Sequence, residues 1–252
     1  MFAKMLEKRN AASAKKKAVQ KDDETYFESY ADLAIHEDML SDGPRCSAYE
    51  DAISHHGLQW AREGATVIDV GAGTGFLSIL AARAGAKEVH AVEASRLAHF
   101  LPKIVEDNAV QGKVVVQACR AEDLELGEGK QVDVIVSEWM GYFLLFENML
   151  PSVLAVRDKH LRSGGLMLPS RCRLMLAPLE DSNFRASKID FWKGVRGVDM
   201  SALMPLAAAT ASEQPRHVQV AGEGLLADGA CIFEMDLHTV KVSDLDNFEA
   251  QI

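Results

Sequence analysis

One segment constrains the fold more than any other. Thr66-Val67-Ile68-Asp69-Val70 reads as a short apolar strand, Gly71-Ala72-Gly73-Thr74-Gly75 as a tight turn, and the Ala/Leu-rich stretch from Phe76 to Ala84 as a helix capped by Gly85. Glu88 to Glu93 reads as the next strand. Strand, glycine turn, helix and strand in that order make a βαβ unit, the building block of a parallel sheet. The alternation continues with a helix expected over Ser95 to Val110, strands over Val114 to Ala118 and Val132 to Val136, and a helix over Leu150 to Leu161 stopped by Ser163-Gly164-Gly165. These strands are continuous apolar runs, as strands covered on both faces must be. Upstream, Tyr26, Phe27, Tyr30, Leu33, Ile35, Met39 and Leu40 recur at helical spacing, Asp42-Gly43-Pro44 breaks the pattern, and a second helix is expected from Ser47 through Trp60, ended by Glu63-Gly64. After Pro169 the character changes. Arg173 to Ala177 and Ala230 to Leu237 read as antiparallel strands, with Ile189 to Ala208 helical or irregular between them.

Composition narrows the function. Of 252 residues, 27 are Lys or Arg and 37 Asp or Glu, a net charge of −10. That excess argues against a generic nucleic-acid binder and suits a partner that brings positive charge. No stretch approaches the ~18 apolar residues of a membrane span; the uncharged run Leu203 to Ala211 is too short. Cys46, Cys119, Cys172 and Cys231 form no C-x-x-C pair and no apolar leader is present, so reduced thiols in the nucleus or cytoplasm are expected. The histidines show no ligand spacing, and His55 and His56 point apart on a helix, so no metal is expected. Residues 1–24 form a basic tail, with Lys15-Lys16-Lys17 readable as solvated surface, as an import signal or as an organelle-targeting segment.

The glycine turn carries chemistry. A Gly71-x-Gly73-x-Gly75 turn between strand and helix puts backbone N–H groups in the crevice where open sheets bind ligands. Side chains there would block a ligand's approach. Glu93, ending the next strand, can accept hydrogen bonds from ribose hydroxyls. The dinucleotide fingerprint has its third glycine one residue later. Asp69, just before the turn, would repel a pyrophosphate but favour the cationic amino-acid end of S-adenosyl-L-methionine. Methyl transfer is therefore favoured over hydride transfer.

After the strand Val132 to Val136 comes Ser137-Glu138-Trp139-Met140-Gly141-Tyr142-Phe143-Leu144-Leu145-Phe146-Glu147. Two carboxylates stand in an otherwise apolar and aromatic segment, and burying them unpaired is costly. Gly141 would let the loop fold back and bring them together. The cation that two carboxylates grip best is a planar guanidinium with its fork of five donors. The alternative is that each acid caps a helix or pairs with a local arginine.

Ser137 to Leu150 resembles the double-glutamate loop of the protein arginine methyltransferases, type I-like. Tyr26 to Leu40 resembles their N-terminal motif, Val67 to Gly75 their cofactor loop, and Phe191 to Leu203 their dimerisation arm. The resemblance implies a class I methyltransferase Rossmann-like parallel sheet domain over residues 25–165. A β-barrel-type substrate domain over residues 166–252, with a helical arm over about 183–212, would follow. It implies S-adenosyl-L-methionine as cofactor, with Phe27 and Tyr30 folding over it, Arg45 on its methionine carboxylate and His36 supporting the pocket. Asp69, Gly71 and Gly73 would line the donor site, with Glu93 on the ribose and Glu122 near the adenine. Glu138 and Glu147 would be catalytic, and Met39, Trp139 and Met149 would border the substrate and the transferring methyl group. The expected partners are arginine-containing basic proteins, such as histone tails or Arg/Gly-rich segments, and a second copy of the chain.

The chain departs from the family pattern in two places. Asn148 stands where Ser is usual. The family's barrel continues past the position of Ile252 through a Thr-His-Trp segment; Leu237-His238-Thr239 has the wrong order, so a truncated barrel is expected. Two other readings stay open: a catalytically impaired relative acting as a binding or dimerisation partner, and a nicotinamide-dependent oxidoreductase.

Overall fold

The computed structural model describes residues 32–213, 216, 218–247 and 249. The basic tail, Phe27 and Tyr30 lie outside the described residues. The chain divides into two compact units, the first comprising residues 32–172 with Met235–Asn247, the second Arg173–Glu234.

The first unit opens with two helices, α1 (Leu33–Ser41) and α2 (Gly43–Glu63). Asp32 caps α1 by accepting the Ala34 N–H at 3.0 Å. Asp42 ends α1 and caps α2, accepting the Arg45 N–H at 3.2 Å, with Pro44 in the first turn. Asp42-Gly43-Pro44 is thus the start of the second helix, not a break ahead of Ser47: proline is tolerated where the N–H has no helical partner.

A five-stranded sheet follows: β1 (Thr66–Val70), β2 (Glu88–Val92), β3 (Val114–Gln117), β4 (Val132–Val136) and β5 (Leu161–Leu168), in spatial order β3-β2-β1-β4-β5. Every pairing is parallel. Helix α3 (Phe76–Ala84) connects β1 to β2, α4 (Leu101–Asp107) precedes β3, and α5 (Leu150–His160) precedes β5. Val67, Val70, Val89, Leu101, Val136 and Leu154 are fully buried around this sheet. The order has one consequence for function. From β1 the chain winds outward through β2 and β3, then returns to the other side of β1 for β4 and β5, so the strand order reverses between β1 and β4. Ligands of open parallel sheets bind outside the carboxyl ends of the strands at such a reversal. The Gly71–Gly75 turn leaves β1 there, and the segment carrying Glu138 leaves β4.

Two expectations along this unit are corrected. Ser95 to Val110 is not one helix but a 3-10 turn (Arg96–His99) followed by α4, which has Pro102 in its first turn. Proline cannot donate the bond an uninterrupted helix would need at that point. Ser163-Gly164-Gly165 does not stop α5, which passes directly into β5 at Leu161. Val132 pairs with Leu161 and Val134 with Leu166, so the glycines form a bulge inside the strand. Arg162 in the bulge holds Asp133 of β4 at 2.7 Å.

Because β5 completes the parallel sheet, the first unit runs to Cys172 rather than ending at residue 165. Beyond it, β6 (Arg171–Leu176) and β7 (Ala230–Asp236) pair. Leu237 N–H donates to Ser170 O at 2.9 Å, so the end of β7 lies beside the start of β6 and the pair is antiparallel. Between them lie α6 (Ser182–Lys188), two 3-10 turns (Asp190–Lys193 and Ser201–Leu203) and α7 (Met204–Ala211), which together span the expected arm, and then a third 3-10 turn (Gly222–Gly224). Asp181 caps α6 through the Phe184 N–H at 2.8 Å and pairs with Arg216, whose guanidinium covers the Phe184 ring. These strands form a two-stranded sheet; no barrel closes among the described residues. All four cysteines are free thiols. No metal-binding cluster and no helix long and apolar enough to cross a membrane occurs among the described residues.

Candidate active site

The glycine turn is built for close approach, though not through its N–H groups. Gly71 and Ala72 donate to Val92 O, each at 2.9 Å, and Gly73 donates to Glu93 Oε2 at 2.6 Å. Those three donors are spent inside the protein, which corrects the expectation that they face a ligand. What the turn's glycines admit is the close approach of Met149 and His36. Gly71 and Gly73 have φ of 71° and 54°, where side chains are disfavoured. A Cβ on Gly71 would strike the Met149 methyl, and one on Gly73 would lie 3.0 Å from His36 Cε1.

The carboxylates around the turn are held differently. Glu93 is buried, with Oε2 on Gly73 N–H and Oε1 accepting Ser95 N–H at 2.7 Å. Each oxygen keeps a second lone pair. Asp69, on β1, is 1% exposed. Its Oδ2 accepts the Ser78 hydroxyl at 2.6 Å, and its Oδ1 has no partner among the described residues. Burial, followed by the nearby charge of Glu93, outweighs the Ser78 bond and pushes the Asp69 carboxyl up to about 7. A buried acceptor without a partner costs free energy unless something fills it. A compact cation fits there and a phosphate does not. Glu122 sits on a 3-10 turn, where Ser152 Oγ, in the first turn of α5, donates to its Oε1 at 2.5 Å.

On the β4 side, Arg45 of α2 forms an ion pair with Glu138 and also donates to Met39 Sδ at 3.0 Å. Arg45, expected on the donor's carboxylate, is thus engaged with one of the two glutamates, the local-arginine alternative for Glu138. A guanidinium has five donors and Glu138 two oxygens, so the pair leaves capacity on both. One turn along α2, Tyr49 donates its hydroxyl to Ser137 O at 2.9 Å, and Ser137 Oγ donates to Val70 O at 2.8 Å. Burial raises the Tyr49 phenol, so it remains a donor. Ser137 therefore fixes the start of the β4 loop to the end of β1, Arg45 and Tyr49 fix it to α2, and Ser78 ties α3 back to β1. Sequence reasoning missed Tyr49, Ser78 and Ser137. A lone serine within Leu77-Ser78-Ile79 was a visible signal, since a buried hydroxyl needs a partner.

The loop after Glu138 does fold back. Gly141 and Leu144 exchange backbone hydrogen bonds at 3.2 and 2.9 Å, and Phe143, Leu144 and Asn148 adopt positive φ. Asn148 has φ of 54°, a region asparagine tolerates better than most residues, which accounts for an amide at this position. The Glu147 side chain lies over Gly141: a Cβ there would be 2.6 Å from Cγ and 2.8 Å from Cδ. Two residues on, Met149 Cε covers Gly71, joining the double-glutamate loop to the glycine turn. Trp139 and Met149 both line a cavity of about 120 Å³ with Leu144, Leu145 and Leu150. Trp139 Nε1 has no partner among the described residues. Met39 does not line that cavity; it lies against Arg45.

An open parallel sheet with a glycine turn, an acid after β2 and an unfilled anionic acceptor beside the reversal point defines a Rossmann-like methyltransferase fold. Family comparison agrees: residues 52–167 match the ribosomal protein L11 methyltransferase model, and residues 170–252 match the arginine methyltransferase oligomerization subdomain. The chain is 47% identical over 238 residues to the probable protein arginine N-methyltransferase 6.1 of Oryza sativa subsp. japonica, covering 94% of this chain and 60% of the relative. It is 45% identical to the probable protein arginine N-methyltransferase 6 of Arabidopsis thaliana, covering 91% of this chain and 52% of the relative. A chain of the Trypanosoma brucei PRMT1 enzyme-prozyme heterotetrameric complex with AdoHcy superposes with a TM-score of 0.75 at 33% identity, over 87% of this chain and 67% of that one. The PRMT6-SAH crystal structure gives a TM-score of 0.69 at 34% identity, over 84% of this chain and 68% of that one. The chain belongs to the protein arginine methyltransferase family. It spans 52–60% of the length of the two plant relatives.

Proposed function

We propose that this chain provides the catalytic centre of a protein arginine N-methyltransferase that uses S-adenosyl-L-methionine. The observation that carries the reading is the contact of Met149 with Gly71, which sets the double-glutamate loop directly against the glycine turn. The residues present fit the cofactor. The unpartnered Asp69 Oδ1 suits its ammonium group, and the free lone pairs of Glu93 suit ribose hydroxyls. Glu122, His36, Phe27 and Tyr30 are assigned to the same pocket on the family resemblance. When bound, S-adenosyl-L-methionine supplies a methyl group on an electrophilic sulfonium.

The protein's part is orientation. Arginine is a weak nucleophile because its charge is spread over three nitrogens and its pKa is ~12 or higher. Glu138 and Glu147 hold the guanidinium by charge-assisted hydrogen bonds and bias electron density toward one terminal nitrogen, aligned for in-line attack. Arg45 keeps Glu138 in position while offering its remaining donors to the cofactor's carboxylate. Met149 would border the methyl group, Met39 is assigned there on the family resemblance, and with them the reading extends to monomethyl and asymmetric dimethylarginine as products. The net charge of −10 supports basic substrates, histone tails or Arg/Gly-rich segments, met in the nucleus or cytoplasm. The matched oligomerization subdomain supports a homodimer.

Labelled S-adenosyl-L-methionine offered with an Arg/Gly-rich or histone-tail peptide tests the proposal. Methyl transfer is expected, and Glu147→Gln should lower turnover by about a hundredfold or more while leaving cofactor affinity nearly unchanged. Cofactor uptake without transfer by the unaltered chain would instead indicate a binding partner. Near-normal turnover of Glu147→Gln would falsify the assigned chemistry.

A further inference from the structure

We propose that Ser78 is a positioning residue for methyl-donor capture: its hydroxyl ties down one oxygen of Asp69, so that the other, Oδ1, stands as the acceptor for the donor's ammonium group, and capture is thereby coupled to the ionisation of Asp69. The inference rests on the proposed use of S-adenosyl-L-methionine and adds a residue to that site.

Ser78 is on α3, the helix that follows the glycine turn, and is fully buried; Asp69 is at the end of β1 and is 1% exposed. Their 2.6 Å hydrogen bond spans the turn from helix to strand. A carboxylate in so apolar a setting is free to rotate about its last bond and to take up a proton; one strong donor stops the first and opposes the second. With Oδ2 so held, Oδ1 is the buried polar atom left unsatisfied. The groups that act on Asp69 are few. Glu93, beyond β2, pushes it toward the protonated form, and Tyr49 of α2 lies within electrostatic reach. Ser78 is the neighbour identified as acting the other way. A cationic ligand would be taken up by the ionised form, so affinity should be full above about 7, where the free carboxyl titrates, and should fall as pH drops below it.

Two measurements test this. Carbon NMR of the Asp69 carboxyl in the ligand-free protein should titrate near 7, and in Ser78→Ala the midpoint should move up by about one pH unit. Calorimetry with S-adenosyl-L-homocysteine, which keeps the same ammonium group, should show about fivefold weaker binding of Ser78→Ala at about pH 7, approaching about tenfold at lower pH and closing at higher pH. Ser78→Thr, which retains a hydroxyl, should follow the unaltered protein. A residue that merely packed the helix would lower affinity equally at every pH. Coincident pH curves for the unaltered protein and Ser78→Ala would overturn the proposal, as would an Asp69 carboxyl titrating near 4 in the unaltered protein. The ligand-free titration stands without the cofactor: if S-adenosyl-L-homocysteine binds at no pH, the proposed function fails, and the hold of Ser78 on Asp69 is still decided.

Discussion

The two units of the chain solve the packing problem in opposite ways. Around the parallel sheet, Val67, Ile68, Val70, Val89, Leu101, Val136 and Leu154 are at or near zero exposure. Between Arg173 and Glu234 no described residue is buried, while Met175, Leu179, Phe191, Leu206, Leu225 and Leu226 are left exposed. The first unit has a core and so can hold side chains to within the tolerances chemistry needs. The second exposes apolar area of the kind that marks an interaction surface. Its match to an oligomerization subdomain fits such a surface.

Truncation on each side of the divide separates the two cases most sharply. Leu154→Ala removes a fully buried side chain of α5 and should cost about 2–5 kcal/mol in chemical denaturation. Leu206→Ala, at a residue 66% exposed, should change monomer stability by no more than about 0.5 kcal/mol. It should instead weaken self-association in sedimentation. Comparable unfolding losses in both variants would mean that the second unit has a core of its own.

A smaller effect asks how far the tight packing extends into the site loop. Gly141→Ala would place a methyl 2.6 Å from Glu147 Cγ, so the carboxylate must shift. Turnover on an arginine peptide should fall by about tenfold or more, with the melting temperature nearly unchanged. Unchanged turnover would show that Glu147 tolerates displacement and is not held to a fixed position.

Much of the first unit was legible. β1, α3 and β4 begin and end where the apolar runs and glycines place them, because each strand is covered on both faces and each turn carries its own glycine. The misreadings have local causes. Pro102 opens α4 where helical spacing alone predicts one longer helix, and Gly164-Gly165, which resemble a helix stop, sit in a bulge whose existence depends on register with β4. At the site, two acids in an apolar loop single out Glu138 and Glu147 by their cost; the structure pairs the first with Arg45 and lays the second over Gly141. The pairing of Arg45 with Glu138 could not be read, since it joins residues far apart in the chain and depends on how α2 docks. The second unit was legible only in outline. With no described residue buried, its pattern carries no inside and outside to read.

Acid draws the last and smallest distinction, because the buried ionisable groups belong to the first unit. His90 on β2 is 6% exposed, with Nδ1 lacking a partner among the described residues and Nε2 3.3 Å from Glu88. Burial lowers its pKa, and the charges of Lys130 and His160 act in the same direction against the opposing pull of Glu88. The unfolded chain therefore binds a proton on this histidine at a higher pH than the folded chain does. Its contribution is full above the ordinary histidine value of about 6.5 and is lost as pH falls from there toward the lower folded value. Denaturation at about pH 7.5 and about pH 5.5 should show the sheet losing stability in acid, and His90→Gln, which cannot titrate, should narrow the gap. An unchanged gap in that variant would transfer the acid sensitivity to another group, with Asp69 excluded because its raised pKa favours the folded state as pH falls.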